Sequence, residues 1–421
     1  MMPVRTGSTA PVTPLMRQPD PALRIGGWQV STSAVLLADV ALLCVIGLVM
    51  VGSASSVISI DTYGTPWAIF VREAMWMAIG VVALWLALRF DYRKLRRISP
   101  IVLLVTFGLL LVVLVPGLGV RAMGSSRWVG FGQFRLQPSE LMKLALALFA
   151  ADFITRRLDR QATDRRIIGP VLLVTGAACV LILAQPDMGT AMVLGCIALA
   201  LLFVSGVRLG PVMKVMGALA VLALIVALAS PYRRTRLLSF MDPSGHGSSS
   251  GYQVVQSLIG LGSGHLVGTG IGGGQAQWGF LPNAHTDFIF SVIGEQLGIV
   301  GAVLVLALLG GFMWLGIRAA TRAPDRFGAL LAIGLVAWVG AETLINVGAV
   351  VGVLPVTGIP LPFISFGGSS LVITMAAAGI LINVAKQGEA VGTRRASRPA
   401  AARHPRKVGS VARPAASGRG R

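Results

Sequence analysis

Ten apolar runs, most of about 18 residues or more, constrain the fold of this chain more than any other feature. A helix rises 1.5 Å per residue, so about 20 apolar residues cross a hydrocarbon core of roughly 30 Å. The runs are Ser33–Val51, Trp67–Leu88, Ile101–Val115, Ser139–Ile154, Ile167–Leu183, Met188–Val204, Val212–Ala229, Phe288–Ile317, Phe327–Val347 and Ser369–Ala385. They predict an all-α polytopic membrane protein with about ten transmembrane helices.

Two details of this pattern qualify the simple count. The eighth run is long enough either to tilt strongly in the membrane or to hold two segments. A long loop, Ser230–Asp287, separates the seventh and eighth runs. Loops of that length rarely serve as passive connections, so this one is a candidate functional element.

Charge placement predicts how the chain is oriented. Hydrophobic residues make up 55% of the chain and charged residues 12%, with a formal net charge of +20. Basic clusters follow the second, fourth and eighth runs, at Arg89–Arg97, Arg156–Arg166 and Arg318–Arg326. Short loops rich in Lys and Arg remain cytoplasmic, so both termini are predicted to lie in the cytoplasm. The basic stretches lack interleaved aromatic residues, which argues against nucleic acid.

Composition divides the chain into three parts. Residues 1–30 and 388–421 are rich in Pro, Ala, Ser, Gly and Arg, a composition that predicts disordered cytoplasmic tails. Residues 31–387 form the predicted transmembrane domain. The basic second tail is suited to anionic lipid or to an acidic partner.

Six arginines on the predicted outer side oppose the orientation bias. Guanidinium groups bind phosphate in a bidentate manner, so an anionic substrate at the outer face is one explanation. The other is that short outer loops tolerate several arginines without any functional reason. The six are Arg121, Arg127, Arg135, Arg233, Arg234 and Arg236.

The loop after the third run and the start of the fourth run supply further candidates. Trp128 follows Arg127, either as a substrate contact or as an interfacial anchor. Glu140 and Lys143 are three residues apart and therefore share one helix face. Charge inside a membrane is costly, so this pair either lines a functional cavity or forms a salt bridge between helices.

The second half of the long loop is rich in glycine, and we interpret it as a re-entrant or interfacial lid over a cavity. Asp287 lies where the eighth run begins, and Glu295 lies deeper on broadly the same helix side. Asp287 is a candidate general base, although Asp also commonly caps helices. Glu295 either supports the cavity or pairs with a buried cation. His285 is expected to form hydrogen bonds within the loop.

Five motifs occur in order along the membrane region: "QPSE" before Lys143, "QPDMGT", "GYQ", "LPNAHTDFIFSVIGEQLG" and "LPVTGIPLPFISFGGSS". Together they resemble the SEDS family of bacterial cell-wall polymerases, which includes FtsW, RodA and SpoVE. The resemblance is closest to the division-type members. It implies a ten-helix glycosyltransferase that polymerises lipid II into peptidoglycan at the outer face of the cytoplasmic membrane, with a class B penicillin-binding protein and other divisome proteins as partners.

The resemblance also suggests roles for individual residues. Asp287 matches the family's catalytic aspartate. The candidate substrate-binding residues are Arg127, Trp128, Glu140, Lys143, Gln253, Ser257, His285 and Glu295. A divalent cation is neither indicated nor excluded by the sequence. Three other functions stay open at this point: a flippase or transporter of lipid II, an elongation-type polymerase, and a non-enzymatic scaffold.

Overall fold

A computed structural model describes residues 23–25, 28–117, 119–122, 125–132, 134–208, 210–218, 221 and 250–396. Its longer elements are helices in chain order. They are α1 Thr32–Tyr63, α2 Ala68–Arg89, α3 Tyr92–Leu114, α4 Pro138–Asp159, α5 Asp164–Ala184, α6 Met188–Val204, α7 Ser250–Ser263, α8 Ile289–Thr321, α9 Arg326–Val350 and α10 Ser369–Ala396. Residues 210–218 are helical as well.

Seven of the described helices are long and apolar enough to cross a membrane: α1, α2, α3, α5, α8, α9 and α10. Helix α6 is a shorter apolar helix, and α4 has 22 residues but carries buried ionisable side chains. The all-α membrane fold is confirmed. The predicted count of ten is not confirmed, because the described part of the chain carries seven such helices and most of the seventh predicted run lies outside it.

Helices α9 and α10 form the centre of the bundle. Their apolar windows are 78% and 83% buried, whereas those of α2 and α3 are only 22% and 28% buried. The outer helices therefore present most of their apolar side chains to lipid, as expected where the hydrocarbon is itself apolar. The central helices carry the buried polar side chains that define the candidate site.

Helix α3 begins at Tyr92, nine residues before the predicted start at Ile101. The carboxylate of Asp91 accepts a hydrogen bond from the backbone N–H of Arg93 at 3.0 Å and so caps the helix. The basic residues that suggested a loop lie in its first turns. The predicted start was wrong because long basic side chains can extend from a helix to the membrane surface while the backbone remains helical.

Five short strands lie outside the helices. Strands β1 Leu23–Ile25 and β2 Trp28–Val30 pair antiparallel within the segment predicted to be a tail. Strands β3 Val120–Ala122, β4 Ser125–Phe131 and β5 Phe134–Leu136 form an antiparallel sheet between α3 and α4. The sequence showed only glycine-rich turns in this second region, whereas the folded chain uses the sheet to position Arg127.

Helix α8 is broken at Gly298, where φ is 67° and ψ is −167°. This backbone region is essentially restricted to glycine, and a Cβ atom there would lie 2.4 Å from the Leu266 carbonyl oxygen. The loop before α8 runs alongside the break. The N–H of Ile299 donates to the carbonyl of His265, and the N–H of Thr269 donates to the carbonyl of Glu295, both at 3.0 Å. The two-segment interpretation of the eighth run is confirmed.

Helix α10 extends past residue 387, where the tail was predicted to begin, and ends at Ala396. The carboxylate of Glu389 accepts hydrogen bonds from the backbone N–H and the hydroxyl of Ser33, at 3.1 and 2.8 Å. The amide of Gln387 donates to Asp91 at 3.0 Å. These contacts join the end of α10 to the starts of α1 and α3. Composition alone does not reveal these contacts, because polar residues have the same composition whether they form a disordered tail or hydrogen-bond to other helices.

We predict different outcomes for two truncations of the chain. Truncation after Gln387 removes the Glu389 carboxylate from the start of α1 and should lower the melting temperature by about 1–2 °C, since a lost cap costs about 1 kcal/mol. Truncation after Ala396 keeps that contact and should leave the melting temperature unchanged. Thermal unfolding of both proteins in the same detergent measures the difference, and equal melting temperatures would contradict the contact.

Candidate functional site

Residues 354–370 connect several of the candidate residues and are called the 354–370 loop; they comprise most of the segment between α9 and α10 and the first two residues of α10. It lies at the ends of α4, α9 and α10 that are nearest Asp287, here called the Asp287 end of the bundle. Most of its side chains are buried, and its polar groups contact α4 and the segment before α8. The loop therefore positions groups that come from distant parts of the sequence.

Asp287 is half-buried and lies against this loop. A Cβ atom on Gly358 would be 3.6 Å from its Oδ2 atom. The side-chain amide of Asn346 donates to the carbonyl oxygens of both Asp287 and Ile359, each at 2.8 Å. Helix α8 begins at Ile289 with Phe288 in the N-cap position, so Asp287 precedes that position by one residue. Its carboxylate is thus held at a partly open place beside a glycine.

His285 is held to the same loop through its backbone. Its carbonyl accepts a hydrogen bond from the N–H of Phe366 at 3.0 Å, and the two rings meet edge to face at 5.7 Å. Burial lowers the pKa of His285 to about 4, because the charged imidazolium is poorly solvated there. The imidazole is therefore neutral near pH 7. The hydrogen bond of His285 is made by its main chain and joins it to the 354–370 loop, not to its own loop as expected.

Glu140 and Lys143 belong to a fully buried charge cluster. The Lys143 ammonium contacts Glu140 Oε2 at 2.6 Å and also bonds Glu342 of α9. Glu140 in turn accepts a hydrogen bond from the Ser370 hydroxyl at 2.7 Å. The ammonium lies 5.0 Å from the centre of the Trp338 ring, within range of a cation–π interaction. The salt-bridge alternative for this pair is confirmed, and it joins α4, α9 and α10.

Arg127 connects the small sheet to the turn between α5 and α6. Its Nε and Nη2 atoms donate to the carbonyl oxygens of Gln185 and Pro186, at 3.0 and 2.5 Å. These carbonyls lie at the C-terminal end of α5, where a cation is favourable. Side chains alternate along a strand, so Trp128 points to the opposite face of β4. Two donor groups of Arg127 are therefore already used within the protein.

The turn that Arg127 contacts contains a buried carboxylate, Asp187. It accepts hydrogen bonds from the Gln137 amide, the Ser139 hydroxyl, and both the N–H and the hydroxyl of Thr190, all between 2.9 and 3.2 Å. Gly189, two residues after Asp187, packs against Thr357 and Ile359, which flank Gly358. This turn is thus joined both to α4 and to the loop against which Asp287 lies.

Glu295 lies deep in α8 and is 2% exposed. Its two carboxylate oxygens accept hydrogen bonds from the backbone N–H groups of Gln275 and Ala276, at 2.6 and 3.1 Å. These N–H groups belong to the start of a 3-10 turn, Ala276–Trp278. Among the described residues Glu295 has no cationic partner within ion-pair distance. The predicted pairing with a buried cation is therefore not seen among the described residues, and Glu295 instead holds the end of the glycine-rich loop, which is nearer to the other predicted role, support of the cavity.

The two candidates on α7 differ in exposure. Ser257 is fully buried, donates to the Val350 carbonyl at 2.8 Å and, through its own carbonyl, accepts from the Ser291 hydroxyl at 2.8 Å. Gln253, one turn earlier, is half-buried. Ser257 thus joins α7 to α9 and α8, while Gln253 retains accessible surface. Exposed apolar side chains after α7, among them Leu266, Val267 and Trp278, suit a loop at a membrane interface.

The outer arginines have different positions. Arg135 is exposed and donates to the Gly132 carbonyl at 3.2 Å. Arg121 lies in β3, and its side chain is outside the described part of the chain. Arg233, Arg234 and Arg236 also lie outside the described residues. Arg127 is thus the member of this set that the structure connects to the Asp287 end.

Three important polar residues were not assigned roles from the sequence: Asp187, Glu342 and Ser370. Glu342 was detectable, because it is the single acidic residue within the apolar α9, and an ionisable residue in such a helix suggests function by default. Asp187 and Ser370 have common residue types and became informative only through their partners. Within the described residues, no group of three or more His, Cys, Asp or Glu side chains is arranged to hold a metal ion.

Comparisons with known proteins agree with this architecture. A family profile described as "Cell cycle protein", covering FtsW, RodA and SpoVE, matches residues 33–390. A Mycobacterium tuberculosis protein named probable peptidoglycan glycosyltransferase FtsW is 40% identical over 382 residues, which are 90% of this chain and 73% of that protein. Stage V sporulation protein E of Bacillus subtilis is 37% identical over 357 residues, 85% of this chain and 97% of that protein.

Two solved structures share the fold. A chain from the structure entitled "Structural coordination of polymerization and crosslinking by a peptidoglycan synthase complex" superposes with a TM-score of 0.70 at 28% identity, covering 84% of this chain and 98% of that chain. The rod shape determining protein RodA of Thermus thermophilus superposes with a TM-score of 0.62 at 26% identity, covering 84% of this chain and 96% of its own. Both likenesses extend over nearly the whole membrane region.

We predict that Lys143→Met destabilises the protein strongly. It leaves Glu140 and Glu342 buried without their cation, and breaking a buried ion pair typically costs about 3–5 kcal/mol. The exposed Lys386, on α10, provides the matched control Lys386→Met, which should change the melting temperature little. An unchanged melting temperature for Lys143→Met would contradict the described cluster.

A triple variant separates pairing from substrate contact. Lys143→Met combined with Glu140→Gln and Glu342→Gln removes all three charges and should recover much of the lost stability. If Lys143 acts only by pairing, activity recovers together with the melting temperature. If any of the three residues also contacts substrate, the triple variant is stable and remains inactive.

Proposed function

Because this chain belongs to the FtsW/RodA/SpoVE family of cell cycle proteins, we propose that it is a peptidoglycan glycosyltransferase of the division type. It polymerises lipid II, a lipid-linked disaccharide pyrophosphate, into glycan strands during septal cell-wall synthesis. Relatives named FtsW support this assignment, as does the likeness to a chain of a peptidoglycan synthase complex.

The proposed reaction joins two sugars at the Asp287 end of the bundle. The 4-hydroxyl of the acceptor attacks C1 of the donor, a C–O bond forms, and the bond from C1 to the lipid pyrophosphate breaks. Asp287 accepts the proton of the attacking hydroxyl as general base. Its half-buried position beside Gly358 supports this role, because a small residue leaves space close to the carboxylate.

The surrounding contacts support a positioned rather than a mobile base. Asn346 fixes the backbone of Asp287 relative to Ile359, and the 354–370 loop is attached to α4 through Ser369 and Ser370. A preorganised base loses less rate to reorientation in the transition state. Arg127 lies at the same end and is the proposed contact for the pyrophosphate, together with arginines of the long loop.

The proposed assembly follows from the same likeness. The protein is embedded in a membrane, and we assign it to the cytoplasmic membrane with both termini in the cytoplasm and the Asp287 end outside. Its proposed partners are a class B penicillin-binding protein, which would cross-link the new strand, and other divisome proteins. The likeness to a chain of a synthase complex supports the first of these.

We predict that Asp287→Asn lowers the polymerisation rate by about 100-fold or more, because the amide cannot accept the proton at neutral pH. Asp61, an exposed carboxylate at the same end of the bundle, supplies the control Asp61→Asn, which should polymerise normally. The assay uses purified protein, lipid II in detergent and the partner transpeptidase, with the melting temperature of each variant recorded. Near-normal polymer from Asp287→Asn would remove this residue from the mechanism.

The same assay distinguishes polymerase from transporter. Detergent abolishes compartments, so a flippase has no measurable product there, whereas a polymerase still forms glycan. A scaffold forms no glycan in detergent and moves no lipid II in sealed vesicles. Glycan formation by the wild-type protein with its partner is the expected result.

The proposed orientation predicts which residues are accessible from outside the cell. In a variant lacking Cys44, Cys179 and Cys196, Val267→Cys should react with a membrane-impermeant maleimide on intact cells. Gln161→Cys, in the exposed turn between α4 and α5, should react only after the membrane is permeabilised. The reverse pattern would place Asp287 on the cytoplasmic side and exclude the proposed reaction.

A further inference from the structure

A cavity of about 880 Å³ lies at the end of the bundle opposite Asp287. It is formed where α3 begins, α4 ends and α9 begins. Five guanidinium groups line it: those of Arg93, Arg96, Arg97, Arg156 and Arg326. The proposed glycosyltransferase reaction uses none of these residues.

Most of these arginines are held in place by carboxylates. Arg93 pairs with Asp325 at 2.9 Å, and Arg326 approaches Asp159 at 3.4 Å. Asp325 also accepts a hydrogen bond of 2.6 Å from the hydroxyl of the buried Tyr92. The cavity wall is thus fixed by groups from α3, α4 and the turn before α9.

The carboxylates do not neutralise the cavity. Arg96 and Arg156 share one carboxylate, Asp152, at 2.6 and 2.8 Å. Five guanidinium groups therefore oppose three carboxylates, which leaves two positive charges uncompensated. Arg97 is exposed and has no carboxylate within ion-pair distance among the described residues. The arrangement suits an anion with one or two negative charges.

The surface next to Arg97 indicates the source of that anion. Ile101 and Leu104 follow Arg97 by four and seven residues, so all three lie on one face of α3. Ile101 is 60% exposed and Leu104 is 74% exposed. A basic site at the membrane boundary thus continues directly into an apolar surface along the membrane-spanning helix. A free phosphate ion would use only the first part of this surface, whereas a phospholipid would use both.

We propose that this cavity binds the phosphodiester headgroup of an anionic phospholipid, with Arg97 as the main contact and the acyl chains along Ile101 and Leu104. Guanidinium groups bind phosphate oxygens in a bidentate manner, and basic residues at the membrane boundary are attracted electrostatically to anionic lipid headgroups. A bound lipid stabilises the ends of α3, α4 and α9 against separation. Helices α4 and α9 carry Glu140, Lys143 and Glu342 near their other ends, so the lipid supports the same helix pair.

The test uses the purified full chain in detergent with defined additions of phosphatidylglycerol, phosphatidylcholine or inorganic phosphate. Phosphatidylglycerol should raise the melting temperature, because a ligand that binds only the folded state stabilises it. Phosphatidylcholine and inorganic phosphate should raise it much less. An equal effect of inorganic phosphate would assign the site to a free anion and overturn the lipid proposal.

Variants connect the effect to the cavity. Arg97→Gln should weaken binding of phosphatidylglycerol about tenfold, the expected loss for one charge-assisted contact. Lys94→Gln removes a charge from an exposed residue of the same helix turn that does not line the cavity, and it should keep wild-type binding. Native mass spectrometry counts the retained lipids. Equal weakening by both variants would mean a diffuse charge effect and would overturn the site.

The outcome is independent of the Asp287→Asn result, so failure of one proposal does not imply failure of the other.

Discussion

Lys143 carries a positive charge at a place that neither water nor lipid headgroups reach, and the helices around it are arranged to balance that charge. Its two carboxylate partners come from α4 and α9, and Ser370 of α10 completes the cluster. Each of the three helices therefore has a fixed depth and rotation relative to the others at the Asp287 end. The two ends of the 354–370 loop are therefore fixed as well, because the loop connects α9 to α10.

The two acidic residues of the eighth run show how environment separates roles within one motif. Glu295 has both oxygens engaged by backbone N–H groups of Gln275 and Ala276, which fixes its carboxylate in a structural role. Asp287 is half-buried next to a glycine, so part of its surface is accessible to a substrate. A structural carboxylate and a candidate reactive one thus lie only eight positions apart in the sequence.

The helices were largely predictable from the sequence, because apolar runs of membrane length have few other stable conformations. The bounds of α6 match the predicted run, whereas the start of α3 was misplaced by nine residues because its basic side chains resemble those of a loop. The partners of Lys143 were less accessible, since Glu342 lies 199 positions away. Sequence spacing reveals neighbours within a helix, but contacts between helices depend on packing that no local pattern encodes.

The break at Gly298 has a consequence for how the protein is made. The N–H groups of Ile299 and Val300 pair with the carbonyl oxygens of His265 and Leu266 rather than with their own helix. These carbonyls precede α8 in the chain and leave the ribosome first. When the second half of α8 enters the membrane, the carbonyl oxygens that accept hydrogen bonds from its first two amides are therefore already present. A circular permutation that moved this segment behind α8 would expose those amides to hydrocarbon during insertion.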